Sequence, residues 1–503
     1  MTGPVGGTAR AVADRVVTAR ACVEESLRRI AAATGLGAVV ALRADEALAE
    51  ADALDAEVEA EHRRHRARAD AVAAVLARRP LVGVPVLVKD LEDVAGLPTR
   101  RGSRVFAAAP AAVADEVVPA RYRAAGGVVV GKTALPELAI EGFTASSAHG
   151  VTRNPWNPER SPGGSSGGSG AALAAGLAPV ATATDGGGSV RIPAAFCGLL
   201  GLKPTHGLVG RWPVADWVDL STYGPLAQDA SDLRLLLSLM AGVVPGDPDS
   251  APAPPDVADP YRRGHDGPPV RRVVVADRTS PLGPLPDGVA DRLRTGADAL
   301  VAVLAAGGPP PAVERLDPSS LFAGVGDPDL DWFVLAPAEH VAALAALLGG
   351  RDAVARLVEG GDLLDPSTRQ FLADGLAVDV DRYLAARRRR TAYTRALDVL
   401  LGDDGVLVTP TVAVDAWIAD GRLVREAGPG LLPPEVFSTA VQNVTGHPAV
   451  SLPWGLDAHG VPSGLQVTAP RWRDGVLLDL AERWQSARPW PAAAPGYVPW
   501  PTW

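Results

Sequence analysis

Two glycine- and serine-rich loops, separated by one helix and one strand, constrain this 503-residue chain more than any other feature. Residues 162–170 read Pro-Gly-Gly-Ser-Ser-Gly-Gly-Ser-Gly, and an Ala-rich helical run (AALAAGLA) and a strand-like run (PVATAT) follow. Residues 185–189 then read Asp-Gly-Gly-Gly-Ser, ahead of VRIPAAFCG. Three glycines before a serine let the backbone approach a ligand in conformations that a Cβ forbids. A helix starting just beyond would aim its spare N–H groups at the same point. Such fixed donors are what acyl transfer requires, because negative charge develops on the tetrahedral intermediate. Gly186, Gly187, Gly188 and Ser189 are the candidate donors. One such loop reads equally well as a flexible turn; two that bracket a helix and a strand do not.

A serine nucleophile needs a base. Eight histidines are present, yet none stands in an arrangement that connects it with Ser189. Lysine is more informative. Only Lys89, Lys132 and Lys203 occur among 48 basic residues, in a chain rich in Arg, Ala, Gly and Pro. Where composition drives lysine toward arginine, the survivors mark places that need a compact cation or one able to lose its proton. Lys89 closes the apolar strand GVPVLVKD. In water a lysine titrates near 10.4; lowering that by about three units costs roughly 4 kcal/mol, within what burial imposes. The competing reading is a lysine that snorkels at a strand end beside Asp90.

Around these loops the chain alternates. Residues 8 to about 78 are Ala/Glu/Arg-rich with helical periodicity and predict two or three helices. From about 81 to 230, short β-branched runs (VPVLV, GVVVG) alternate with Gly-rich loops and short helices, the texture of an α/β core. Residues 244–270, rich in Pro and Asp, read as a surface connector. VRRVVVAD, GVLVTPTV and HPAVSLPWG are later strands expected to complete the same sheet, which favours one compact unit over 1–503.

Together, GVPVLVKDLEDVAGLPTRRGS, GKTALPE, NPWNPERSPGGSSGGS and ATDGGGSVRIPAAFCGLLGLKPTHG resemble the amidase signature family. The signature spans about 150 residues, and weaker likeness extends through LVTPT and TGHPAVSLPWG. The resemblance implies a single large α/β domain with a central mixed, mostly parallel twisted β-sheet flanked by helices. It implies Lys89 as base, Ser165 (after an unusual cis peptide bond) as proton bridge, and Ser189 as nucleophile. The implied reaction is hydrolysis of an amide to acid plus amine or ammonia through an acyl-enzyme, with no cofactor and no metal. Asp185 and Arg191 match signature positions and are expected to support the second loop; Ser166 is expected to hydrogen-bond the site. Lys203 reads as structural.

Rival readings are weaker. Gly126–Thr133 (GGVVVGKT) fits the phosphate-loop pattern, but its supposed loop reads as a strand. GGSSG contains the nucleophile-elbow pattern without a preceding strand, and its only appealing histidine is His447. Cys197, in AAFCGLLGL, reads as a buried inert thiol. Within the family the alternative is a glutaminase subunit of a tRNA-dependent amidotransferase. Those relatives carry threonine where this chain has Gly186.

A net charge of −10 argues against nucleic acid as a partner. The clusters Arg63, Arg64, Arg66 and Arg387–Arg390 read as solvated helix faces. Two cysteines are too few for a disulfide framework. The first residues lack an apolar signal core and no long apolar stretch is evident, so a cytoplasmic protein without membrane association is expected. A small-molecule amide is the expected partner, a homodimer is compatible, and the substrate is open. Selectivity is expected from 210–223, 318–345 and 410–450, with Trp212, Trp217, Trp332, Phe333 and Trp417 as candidate pocket walls.

Overall fold

The β-branched runs of the signature region become strands buried on both faces. In the computed structural model, which describes residues 3–213, 217–262, 264–279, 285–360, 362–421 and 438–503, Pro85–Lys89 and Val128–Thr133 are buried at every position. They pair in parallel, and Val180–Ala181 adds to the other side of Pro85–Lys89 in parallel. Two buried faces explain why these segments read as continuous apolar runs rather than alternating ones. Pro85 is tolerated because it opens its strand.

A fourth strand, Val39–Leu42, pairs antiparallel with Val128–Thr133 at the edge of this sheet. It lies inside the region read as helical, where the helices number four: Pro4–Ala13, Ala19–Ala32, Ala44–Arg64 and Arg68–Arg78. A four-residue, half-exposed edge strand offers neither alternation nor a long apolar run to betray it.

The second sheet has seven strands. Its order is Leu226–Ala227, Leu200–Lys203, Ala449–Leu456, Pro462–Thr468, Gly405–Pro410, Arg272–Val275, Ala312–Arg315. Contrary to the sequence expectation, the later strands therefore do not complete the Pro85–Lys89 sheet but form a separate one that takes in the signature strand Leu200–Lys203. The architecture is mixed α/β with flanking helices, as expected. Parallel pairing dominates only in the four-stranded sheet; in the seven-stranded sheet it is confined to the Gly405–Pro410, Arg272–Val275 and Ala312–Arg315 end. The reason is the tight turn between Ala449–Leu456 and Pro462–Thr468, which makes an antiparallel hairpin. One cluster of buried side chains runs from Val5 to Trp484 and draws on both sheets.

The Pro328–Leu348 helix is long and apolar enough to cross a membrane by length and composition, which the sequence reading did not anticipate. It packs against Pro366–Ala377 and Val380–Leu401, and Asp329, Asp331, Glu339 and His340 are among its buried residues. Asp331 receives the Arg389 fork (Nε to Oδ2, 2.7 Å; Nη2 to Oδ1, 2.5 Å) and the Tyr393 hydroxyl (2.8 Å). Arg387 and Arg390 pair with Asp219. The Arg387–Arg390 run is thus only in part a solvated face: Arg388 is exposed and the Arg387 and Arg389 side chains keep 34% and 39% exposure, but three of the four pair with acidic residues on other elements. Arg63, Arg64 and Arg66 are exposed as expected.

Candidate active site

Lys89 ends its strand with a side chain wholly shielded from solvent. Its Nζ donates to Ser165 Oγ and to Thr184 Oγ1, both at 2.8 Å, and its backbone N–H donates to Thr182 Oγ1 at 2.9 Å. Thr182 and Thr184 stand two residues apart in the extended run after Val180–Ala181, so both project from one side toward Lys89. The Gly164–Ser165 peptide bond is cis, as the resemblance implied. Ser165 is 1% exposed and Ser189 8%. Both line one cleft with Thr184 and Gly186. Ser166 ties the two loops together. Its N–H donates to Ser189 O (3.3 Å) and its Oγ to Thr184 O (3.3 Å).

The second loop is held by its carbonyls. Gly186 O accepts from Trp332 Nε1 at 2.8 Å, Gly187 O from Thr439 Oγ1 at 2.6 Å, and Gly188 O from Ile192 N at 2.7 Å. With those oxygens and that of Ser189 engaged, the N–H groups of Gly186, Gly187 and Ser189 find no acceptor among the described residues. Gly188 corrects the sequence reading. Its N–H donates to Asp185 Oδ1 at 2.8 Å, so it is a brace of the loop and not a fourth free donor. The physical reason is the Asp185 carboxylate, which collects the N–H groups of Gly188, Val190 and Arg191; the φ of +131° at Gly188 is a conformation suited to glycine.

Asp185 and Arg191, which the resemblance expected to support that loop, pair beside it, and Asp185 also takes the Gly188 N–H. Both are buried, and the guanidinium forks onto the carboxylate (Nε to Oδ2, 2.9 Å; Nη2 to Oδ1, 2.8 Å). Burial pushes the Asp185 carboxyl up, but Arg191 outweighs it and holds the group at about 2. The remaining guanidinium hydrogens reach Gln442 Oε1 (3.0 Å), Gln466 Oε1 (2.8 Å) and Asn443 Oδ1 (2.7 Å). Satisfied on every side, the pair is a rigid post from which the glycines hang. Sequence reasoning missed these amides; the signal was polar Gln442-Asn443 inside the apolar run AVQNVTGHPAV.

The cleft, about 640 Å³ with its open mouth, is also lined by Glu92, Glu116, Arg101, Arg211, Trp217, Tyr223 and His340. Burial raises Glu92 to about 8 and Glu116 to about 7. Thr182 Oγ1 donates to Glu92, and the Tyr223 hydroxyl donates to Glu116. Much of the acid lining is therefore uncharged near neutral pH.

Of the proposed walls, Trp217 lines the cleft and Trp332 anchors Gly186. Phe333 packs on Trp332, Trp417 packs between Phe143 and Phe196 in a separate cluster, and Trp212 is exposed. Residues 214–216 and 422–437 of the expected selectivity segments lie outside the described residues. Lys132 and Thr133 belong to a buried strand, and Lys132 Nζ donates to Glu92 O (2.6 Å) and Asp90 Oδ1 (3.2 Å). That rules out a phosphate loop there and gives the second lysine a structural task. Lys203 Nζ donates to Pro204 O at 2.8 Å, and burial lowers it to about 7. No strand leads directly into Gly163–Gly167: the preceding one, Gly150–Val151, ends twelve residues earlier, and only an isolated bridge at Arg160 lies between. His447 is buried against Thr445 and Asp398, outside the cleft. Cys197 is buried, and desolvation pushes its thiol up.

The amidase family profile matches residues 21–478. The proposed amidase AmiB2 of Mycobacterium tuberculosis is 36% identical over 487 residues, covering 96% of this chain and 95% of that protein. A glutamyl-tRNA(Gln) amidotransferase subunit from Synechococcus sp. is 32% identical over 506 residues, covering 96% and 97%. The solved structure of 6-aminohexanoate cyclic dimer hydrolase complexed with substrate superposes with a TM-score of 0.80 at 27% identity, over 98% of each chain. With the profile and these relatives spanning nearly its whole length, the chain belongs to the amidase signature family.

Proposed function

We propose that this amidase, acting on carbon–nitrogen bonds, uses Ser189 as nucleophile, Ser165 as proton relay and Lys89 as base on a small-molecule amide. The observation that carries the reading is the 2.8 Å contact between a fully buried Lys89 amine and Ser165, in a cleft shared with Ser189. Burial favours the neutral amine, and a protonated Glu92 nearby supplies little charge to oppose that. With its proton lost, Nζ keeps an N–H on Thr184 and turns its lone pair to the Ser165 hydroxyl.

Ser165 gives its proton to Lys89 and takes one from Ser189 as Oγ attacks the amide carbon. The oxyanion meets the N–H groups of Gly186, Gly187 and Ser189. Ser165 then returns a proton to the departing nitrogen, which would otherwise leave as a strongly basic anion, and recovers its own from Lys89, leaving the amine neutral again. The C–N bond breaks, an ester remains on Ser189, and water repeats the path to release the acid. The reading calls for no cofactor, metal or nucleic acid. It treats the whole chain as one working unit in the cytoplasm and is compatible with a homodimer.

A panel of amides, anilides, esters and carbamates tests it. Wild-type turnover of at least one amide and none by Ser189→Ala is the expected result; full activity in purified Ser189→Ala would end the proposal. The amidotransferase relatives give a second reading, in which the chain releases ammonia from glutamine for a tRNA-bound acid. Co-purification with partner subunits and glutamine-dependent amidation of charged tRNA would favour it.

A further inference from the structure

We infer that Trp217 sets substrate specificity as an interlocked pair with Gly186, an inference that rests on the catalytic reading above. A Cβ built on Gly186 would lie 1.8 Å from Trp217 Cε3 and 2.3 Å from Cζ3. The indole thus fills the volume where a side chain at 186 would project. Both residues line the cleft that holds Ser189. An aromatic ring from a distant segment therefore replaces, in space, whatever the nucleophile loop would carry itself.

Trp217 has little freedom to yield. It is 6% exposed and stands edge-on to Trp332 at 5.6 Å between centroids, with His340 at 5.9 Å and Phe371 at 6.4 Å. Its carbonyl accepts from Leu220 N (3.2 Å) and Ser221 N (3.1 Å), which fixes the backbone beneath it. Trp332, packed on Trp217, also holds Gly186 O and would lie 2.8 Å from a Cβ on Gly187. One aromatic pair thereby positions the loop and walls the cleft. Leu138 and Ala139 extend the apolar lining. Such a wall takes a flat apolar group beside the reacting amide and rejects a branched one of equal size, since a packed interior does not expand to admit it.

The test compares amides that carry flat or branched apolar groups on either side of the scissile bond, using the full chain. Trp217→Ala is expected to shift the kcat/KM ratio toward branched substrates by about tenfold or more, in line with what one or two methylenes are worth in a pocket. Gly186→Thr alone is expected to lose most activity, and adding Trp217→Ala to it to recover at least about tenfold. Trp217→Leu, which keeps the core filled, repeats the ratio measurement should the alanine variant not fold. Unchanged ratios in the folded Trp217 variants, with a double variant no better than Gly186→Thr, overturn the inference. A wild type inert on every amide, or an active Ser189→Ala, would instead overturn the catalytic reading and take this inference with it.

Discussion

At the scale of single residues, the proposed catalysis depends on how one amine is held. Lys89 was legible in the sequence because it was one of three lysines and closed an apolar strand. Ser165 and Ser189 were legible only through the motif, since nothing in a glycine loop says which hydroxyl faces a distant amine. Thr184 was not singled out, although its alternation with Thr182 was in plain view; threonine is so common in strands that its hydroxyl carries no signal without a partner. Its contact with Nζ gives it a positioning role. Thr184→Val is expected to lower kcat/KM by about tenfold to a hundredfold, the worth of one hydrogen bond to a charged group, and Thr184→Ser to restore most of it. An acceptor stabilises the ammonium, so its loss lowers the amine's pKa. The acidic limb of the pH–rate profile therefore moves to lower pH in Thr184→Val; an unmoved limb would leave the residue a merely structural task.

At the scale of elements, the loop that carries Ser189, the proposed nucleophile, is a short segment whose shape is imposed from outside it. The sequence indicated close backbone approach, but not which N–H groups remain free. That depends on Asp185 reaching Gly188 and on Trp332 and Thr439, 146 and 252 residues away, taking the carbonyls. The buried Asp185–Arg191 pair has a consequence for stability. Its folded value of about 2 lies below the ordinary 3.8. The pair therefore contributes on the order of 2 kcal/mol that is fully present above about pH 4 and lost as pH falls through about 2. Asp185→Asn leaves Arg191 without its counter-charge and is expected to cost about 3 kcal/mol or more at pH 7, read by denaturant unfolding. The gap from wild type is expected to narrow as pH falls toward about 3; a gap independent of pH would contradict the assignment.

At the scale of the whole molecule, the α/β class and the late strands themselves were legible, because alternation of element types and β-branched runs survive without tertiary knowledge. The split into two sheets, the edge strand Val39–Leu42 and the acid partners of Arg387–Arg390 were not, because each depends on pairings between distant segments. The same holds for Pro328–Leu348, whose composition suits lipid but whose buried acids and Arg389 fork suit a protein core. The chain is accordingly expected to stay in the supernatant when spun with phospholipid vesicles; co-sedimentation would show that this helix is available to a membrane.

The most direct test of the central claim is peptide mapping by mass spectrometry after reaction with a serine-directed sulfonyl fluoride. One adduct is expected, on Ser189, with loss of amidase activity in step with labelling, and much slower labelling in Lys89→Ala. An adduct on a different residue that accompanies inactivation, or labelling of Ser189 at the wild-type rate without Lys89, would contradict it.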